Sequence, residues 1–292
     1  MRSLFPIFFG YELQNALFVV SFMHRYSHQG EMNMEKMTLI TGAGGGLGKE
    51  FAYLYAKDGN SLCLVDIDEA GMDETIGYVH AIVPEARIEK IVADLSNKDD
   101  LKKVYETTKS KGYFVNNLVN AAGFGDCTDF KDMNIDKQLK MTDVNCNALL
   151  YFTRVYLDDM IANKEGHIIN ISSIAGFAPG PYMCTYHATK GFVLLFGESI
   201  AYELRKTGVK VLTLAPGPFN SKFVSKAHND YTFSKMKPHS ALRVASYGYK
   251  MSKKGKTLAI VGFKNKLTCF APRFFSRKFV TKCSAKTLKK GA

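Results

Sequence analysis

From Lys36 onward, short runs of β-branched and other apolar residues alternate with longer stretches of helical periodicity, the pattern that βαβ units leave in a sequence. Strands are predicted over 37–41, 61–66, 88–93, 117–120, 167–171, 209–214 and 257–261. Ile168-Ile169-Asn170-Ile171 and Val209-Lys210-Val211-Leu212 are largely apolar, as strands covered on both faces tend to be. Helices are predicted from the first strand's end to about Lys57, over 136–163 and over 182–206. The expected fold is α/β, a doubly wound seven-stranded parallel sheet with helices on both faces. No repeat period is visible, so residues 36–292 are expected to form one domain, ending in a basic helix at about 266–290.

Residues 1–35 break this pattern and read as a separate N-terminal extension. Leu4 to Phe9 and Ala16 to Met23 are apolar, but Glu12, Gln14 and Asn15 lie between them. A spanning helix would carry Glu12 near mid-bilayer at a cost of roughly 2.5–3.5 kcal/mol, and no signal-type cleavage site follows. Met32, Met34 and Met37 all precede the first strand, so a dispensable extension is preferred to an anchor.

A chain of 292 residues, 46% hydrophobic, can bury a substantial core. Its net charge of +12 is uneven: residues 222–292 hold 18 Lys/Arg against Asp230 alone, and the remainder is acidic. Six scattered cysteines without a C-x-x-C pair argue against a zinc site or disulfide framework and for a reducing, cytoplasmic setting.

Polar residues cluster at predicted strand ends: Gly42, Asp66, Asp94, Asn120, Ser172-Ser173 and Pro216-Gly217. Open α/β sheets bind ligands there. Thr41-Gly42-Ala43-Gly44-Gly45-Gly46-Leu47-Gly48 joins the first strand to a helix, and its glycines allow a tight turn and close approach to a pyrophosphate. Asp66, twenty residues past Gly46, is placed to accept the hydroxyls of an adenosine ribose and would repel a 2′-phosphate. NAD is therefore expected over NADP. The same carboxylate is also a candidate cap for the helix beginning at Glu69.

Ser173 stands thirteen residues before Tyr186, and Lys190 one helical turn after it. Five other tyrosines have a lysine at i+4, but none has a serine thirteen residues earlier. Tyr186 is the candidate general acid/base, Lys190 the cation expected, together with an oxidised nicotinamide, to favour its phenolate, and Ser173 the donor to a developing oxyanion. Ser172 is the rival for Ser173, and the neighbouring His187 is read as a pocket or surface residue.

Together these motifs make the chain resemble the short-chain dehydrogenase/reductase family from Lys36 onward, and its Rossmann-like fold. The resemblance implies that Gly42, Gly44, Gly46, Leu47 and Gly48 form the dinucleotide turn, that Asp94 and Leu95 lie at the adenine, and that Asn120-Ala121-Ala122-Gly123 is the N-N-A-G segment with Ala121 in place of the second Asn. Asn145 then holds a water in a relay to Lys190, Tyr186 and Lys190 contact the nicotinamide ribose, and Pro216, Gly217 and Ser221 flank the nicotinamide. No metal is implied. The C-terminal portion looks like the DltE-like branch of bacterial short-chain dehydrogenases.

The expected activity is hydride transfer between a nicotinamide cofactor and a carbonyl or secondary alcohol. The segment 219–243, with Phe219, Phe223, Tyr231, Phe233 and Met236, is the expected lid, and its apolar content suggests a small-molecule substrate of 3-oxoacyl-like or steroid-like type. Homodimers or homotetramers through helices 136–163 and 182–206 are implied. Two other readings are a redox-inactive dinucleotide-binding scaffold, and peripheral membrane contact through the basic tail. The tail is otherwise expected to pack its Phe face beside the substrate mouth. No nucleic-acid role is expected.

Overall fold

In a computed structural model of the chain, residues 34–220 and 238–288 are described. Ser221, most of the expected lid and residues 1–33 lie outside them. Lys36–Ala292 forms one compact unit. Seven strands, β1 (Glu35–Thr41), β2 (Ser61–Asp66), β3 (Ile88–Val92), β4 (Tyr113–Asn120), β5 (Gly166–Ile171), β6 (Val209–Ala215) and β7 (Leu258–Ile260), make a single sheet. Their order is β3-β2-β1-β4-β5-β6-β7. The pairings of β1 with β2, β2 with β3, and β4 through β7 in turn are parallel. Strand order reverses between β1 and β4, so a crevice opens beyond Thr41 and Asn120.

The alternation along the strands builds two core layers. Met37 and Leu39 in β1, Leu118 in β4, Ile168 in β5 and Val211 in β6 pack on one face with Phe152 and Tyr156. Ile40, Val119, Ile169 and Leu212 pack on the other with Leu47, Phe51 and Val244. Opposite faces of each strand thus cover opposite layers of helices.

Helices begin where short polar side chains satisfy their free N–H groups. Asp68 accepts from Gly71 N at the head of α2 (Glu69–His80), and Asn97 from Asp99 N at the head of α3 (Lys98–Ser110). Asn134 accepts from Lys137 N at α4 (Ile135–Thr142), and Ser240 from Arg243 N at α7 (Ala241–Lys253). α1 (Gly46–Lys57) has no side-chain cap.

Two expected helices differ in form. The helix expected over 136–163 is α4, then a π-helical turn Asp143–Ala148, then α5 (Leu149–Ala162). The wider turn centres on Asn145, whose side chain is tied to other segments. The basic helix expected near 266–290 is three pieces: α8 (Phe263–Phe270), a 3-10 turn Ala271–Phe274 and α9 (Arg277–Leu288). Pro272 removes an N–H at the break, and the Ser276 hydroxyl accepts from Phe279 N to start α9. The helix expected over 182–206 is α6 (Cys184–Glu203), preceded by Tyr182 at φ 69. Among the described residues no helix is long and apolar enough to cross a membrane.

Candidate active site

The crevice at the strand ends is a cavity of about 550 Å³. At one end Gly42 and Gly46 adopt φ 68 and 54, a region that side chains avoid. A Cβ on Gly42 would stand 2.7 Å from Ala122 N, and one on Gly48 2.1 Å from the Gly42 carbonyl oxygen. Backbone therefore packs directly on backbone. Gly44, Gly45, Gly46 and Leu47 line the cavity, and the uncapped N–H groups of α1 make this end suited to a phosphate. Thr41 braces the turn, its hydroxyl accepting from Ala121 N and Ala122 N at 3.1 and 3.2 Å.

Asp66 lines the cavity at the end of β2. Its carboxylate accepts from Gly44 N at 2.8 Å and Asp68 N at 2.9 Å, leaving lone pairs for further donors. The capping role considered for Asp66 falls instead to Asp68. Asp94 and Leu95 line the same wall. Burial acts to raise the Asp94 carboxyl, but the Lys140 ammonium at 2.8 Å and two hydrogen bonds from Ser96 outweigh it and hold the group below its usual range. Lys140, itself on the cavity wall, had no signal in the sequence beyond its helical position.

Ala121, Ala122 and Gly123 line the cavity, whereas Asn120 lies beneath it, donating to Thr153 Oγ1 at 3.2 Å and Asn170 Oδ1 at 2.9 Å. Pro216 and Gly217 line the opposite side, and the Pro216 carbonyl accepts from Ile174 N.

At the other end, Ser173, Tyr186 and Lys190 share the wall. Ser173 follows β5, and α6 carries the other two residues one turn apart. Burial pushes the Tyr186 phenol up to about 12, while a hydrogen bond with Ser173 pulls it down. Lys190, 5% exposed, donates to the Ile171 carbonyl at 2.9 Å and stands 5.8 Å from the centre of the Tyr186 ring. Burial lowers its ammonium to about 8. Burial thus favours the protonated phenol, and the phenolate expected beside Lys190 calls for the further positive charge of an oxidised nicotinamide.

The two serines separate cleanly. Ser172 is spent on the Lys190 carbonyl at 2.8 Å, whereas Ser173 meets Tyr186. His187 lines the cavity, with Nδ1 on the Ala178 carbonyl at 2.8 Å. Asn145 is 1% exposed and sits behind the wall. Its amide accepts from Phe124 N and donates to the Phe124 carbonyl and Thr189 Oγ1, each at 3.0 Å. A Cβ on Gly123 would come within 2.9 Å of Asn145 Oδ1 and 3.3 Å of Lys190 Nζ, so Gly123 leaves room for both groups. The remaining wall comes from the C-terminal tail, as expected, but through Thr268, Ser284, Thr287 and Leu288 rather than its phenylalanines. Among the described residues no group of His, Cys, Asp and Glu could hold a metal ion.

Residues 36–232 match the short chain dehydrogenase family. An uncharacterized oxidoreductase of Staphylococcus saprophyticus is 31% identical over 183 residues, 63% of this chain and 78% of that protein. Estradiol 17-beta-dehydrogenase 11 of Pongo abelii is 32% identical over 195 residues, 65% of this chain and 63% of that protein. The fold is also similar to that of a short-chain dehydrogenase from Sphingobium yanoikuyae solved with NADPH, with TM-score 0.74, 23% identity, and coverage of 82% of this chain and 92% of that one. The seven-stranded doubly wound sheet, the glycine turn and the family match converge: the chain belongs to the short-chain dehydrogenase family, the nicotinamide-dependent oxidoreductases that act on CH–OH groups.

Proposed function

We propose that this enzyme interconverts an apolar ketone and its secondary alcohol with NAD(H), using Ser173, Tyr186 and Lys190 as catalytic residues and Asn145 as a positioning residue. The observation that carries the reading is the Ser173–Tyr186 hydrogen bond, with Lys190 beside it, in the same cavity as the glycine turn. When bound, a nicotinamide supplies or accepts the hydride. Tyr186, neutral at physiological pH, gives its proton to the ketone oxygen, and Ser173 donates a hydrogen bond to the same atom. Lys190 has three donors and spends one on Ile171, which leaves two for a ribose hydroxyl and a relay water near Asn145.

Asp66 favours NAD by its charge, since a 2′-phosphate would meet a carboxylate. Val144, Ile171, Ile174 and Met183 on the cavity wall favour an apolar substrate, of which 3-oxoacyl and steroid-like ketones are candidates. We place the chain in the DltE-like branch on its C-terminal segment. Its six free cysteines suit a reducing, cytoplasmic setting. Exposed Leu139 and Leu150 on α4 and α5, and Phe192, Leu195 and Tyr202 on α6, suit pairing of subunits through these helices.

The test is NADH and NADPH oxidation with a panel of ketones by the native enzyme and Tyr186→Phe. The variant is expected to bind NADH as the native enzyme does and to lose turnover by about 10²–10⁴-fold. Near-native turnover in the variant would overturn the assignment, and NADPH preferred to NADH would overturn the cofactor choice. A native enzyme that binds NADH yet turns over none of the panel would point to the scaffold reading.

A further inference from the structure

Phe263, Leu267, Phe270 and Phe274 recur at helical spacing through α8 and the 3-10 turn. They are 82, 60, 48 and 71% exposed. Phe275 and Phe279, across the break, are 54 and 50% exposed. The rings gather rather than scatter: centroids are 5.2 Å apart for Phe270 and Phe274, and 5.1 Å for Phe275 and Phe279. Single exposed apolar side chains are ordinary, but a gathered patch marks an interaction site.

The opposite face of the segment does the packing. Cys269 is buried, and Ser284 and Leu288 turn toward the cavity. The rings therefore belong to neither the core nor the substrate mouth, contrary to the expected packing of the Phe face there.

Charge selects the occupant. Residues 263–288 carry seven Lys or Arg and no Asp or Glu, and none of the seven has a carboxylate partner among the described residues. The Arg273 guanidinium lies 5.4 Å from the Phe270 ring centre, so cation and ring share one surface. A second copy of the chain on this face would set cations against cations. A nucleic acid would match the charge but would leave Leu267 and much of the exposed ring area without an apolar environment. An anionic bilayer interface receives both components, with rings at the acyl boundary and cations among the headgroups, where each cation adds about 1 kcal/mol.

We propose that the outer face of residues 263–279 docks this enzyme on an anionic lipid surface. The cavity wall on the inner face then stands next to the bilayer.

The experiment is co-sedimentation of the full chain with vesicles of phosphatidylcholine alone and of phosphatidylcholine with about a third phosphatidylglycerol. Tighter binding to the anionic vesicles, by at least about tenfold, is expected. F274S/F275S should weaken that binding about tenfold, and R273Q/R277Q should reduce the preference for phosphatidylglycerol by about tenfold or more. Both variants should keep NADH affinity and circular dichroism, which shows that they fold. Four results would overturn the proposal: no vesicle binding, binding unchanged in both variants, a native dimer that F274S/F275S dissociates, or single-stranded oligonucleotide bound more tightly than vesicles.

Discussion

Tyr186 and Lys190 are each held toward their neutral forms by burial, the phenol driven up to about 12 and the ammonium down to about 8. The tyrosine thus keeps its proton across the physiological range, whereas the lysine titrates near its upper edge. If Lys190 binds the ribose as an ammonium, NADH affinity, followed by fluorescence titration, should fall as pH rises through about 8. A flat profile from about pH 7 to 9 would contradict that role. The same shift bears on folding. Because the folded pKa lies below that of a free lysine, the unfolded chain holds the proton more tightly between the two values. Lys190 therefore costs stability at neutral pH, and the cost fades as pH rises above about 8. The identities of Ser173, Tyr186 and Lys190 were legible because their spacing is set by one strand end and one helix. Their ionisation was not, since it depends on walls supplied by distant segments. Ser172 shows the same limit: only the packed structure commits its hydroxyl to the Lys190 carbonyl.

Elements followed the polar pattern where burial is two-sided and departed where a distant anchor intervened. β4 begins at Tyr113, earlier than the strand expected at Asn117, because Asn116 and Asn117 interrupt an apolar run and yet are buried with the rest. Asn116 donates to Glu165 and Asn117 to Asn116, partners that no local pattern reveals. The π-helical turn was hidden for a related reason. Asn145 reaches Phe124 and Thr189 at once, and such turns occur often at functional sites. β5 carries a liability of its own. His167 Nδ1 is buried without a partner, and burial, then Lys210 and Lys253, hold the ring down to about 4 against the pull of Glu165. The unfolded chain takes up this proton first as pH falls, so stability is complete above about 6.5 and lost toward 4. His167→Val should therefore raise stability by on the order of 1 kcal/mol at pH 5 relative to the native chain, and less at pH 8, measured by urea denaturation.

On the scale of the whole molecule, strand order explains why most of the site could be read from the chain. A doubly wound sheet sends every strand's carboxyl end to one edge, so Gly42, Asp66, Asp94 and Ser173 converge on one cavity although they are far apart in sequence. The wall from residues 268–288 obeys no such rule: its place beside the mouth was expected, but which of its side chains face the cavity was not legible. Subunit contacts are read from the surface instead. Leu195, exposed on α6, should lie within the proposed subunit contact, and Leu195→Glu should yield monomers by light scattering while leaving circular dichroism unchanged. Retention of the native mass would rule this helix out as the contact. The cavity's two ends also have different origins: the cradle beside Gly42 is made by β1, β4 and α1, while Leu288 arrives on α9, which has no fully buried residue. Proteolytic clipping ahead of Arg277 would therefore spare the cradle and remove the outer rampart, leaving an enzyme still able to grip its coenzyme but less able to choose what it reduces.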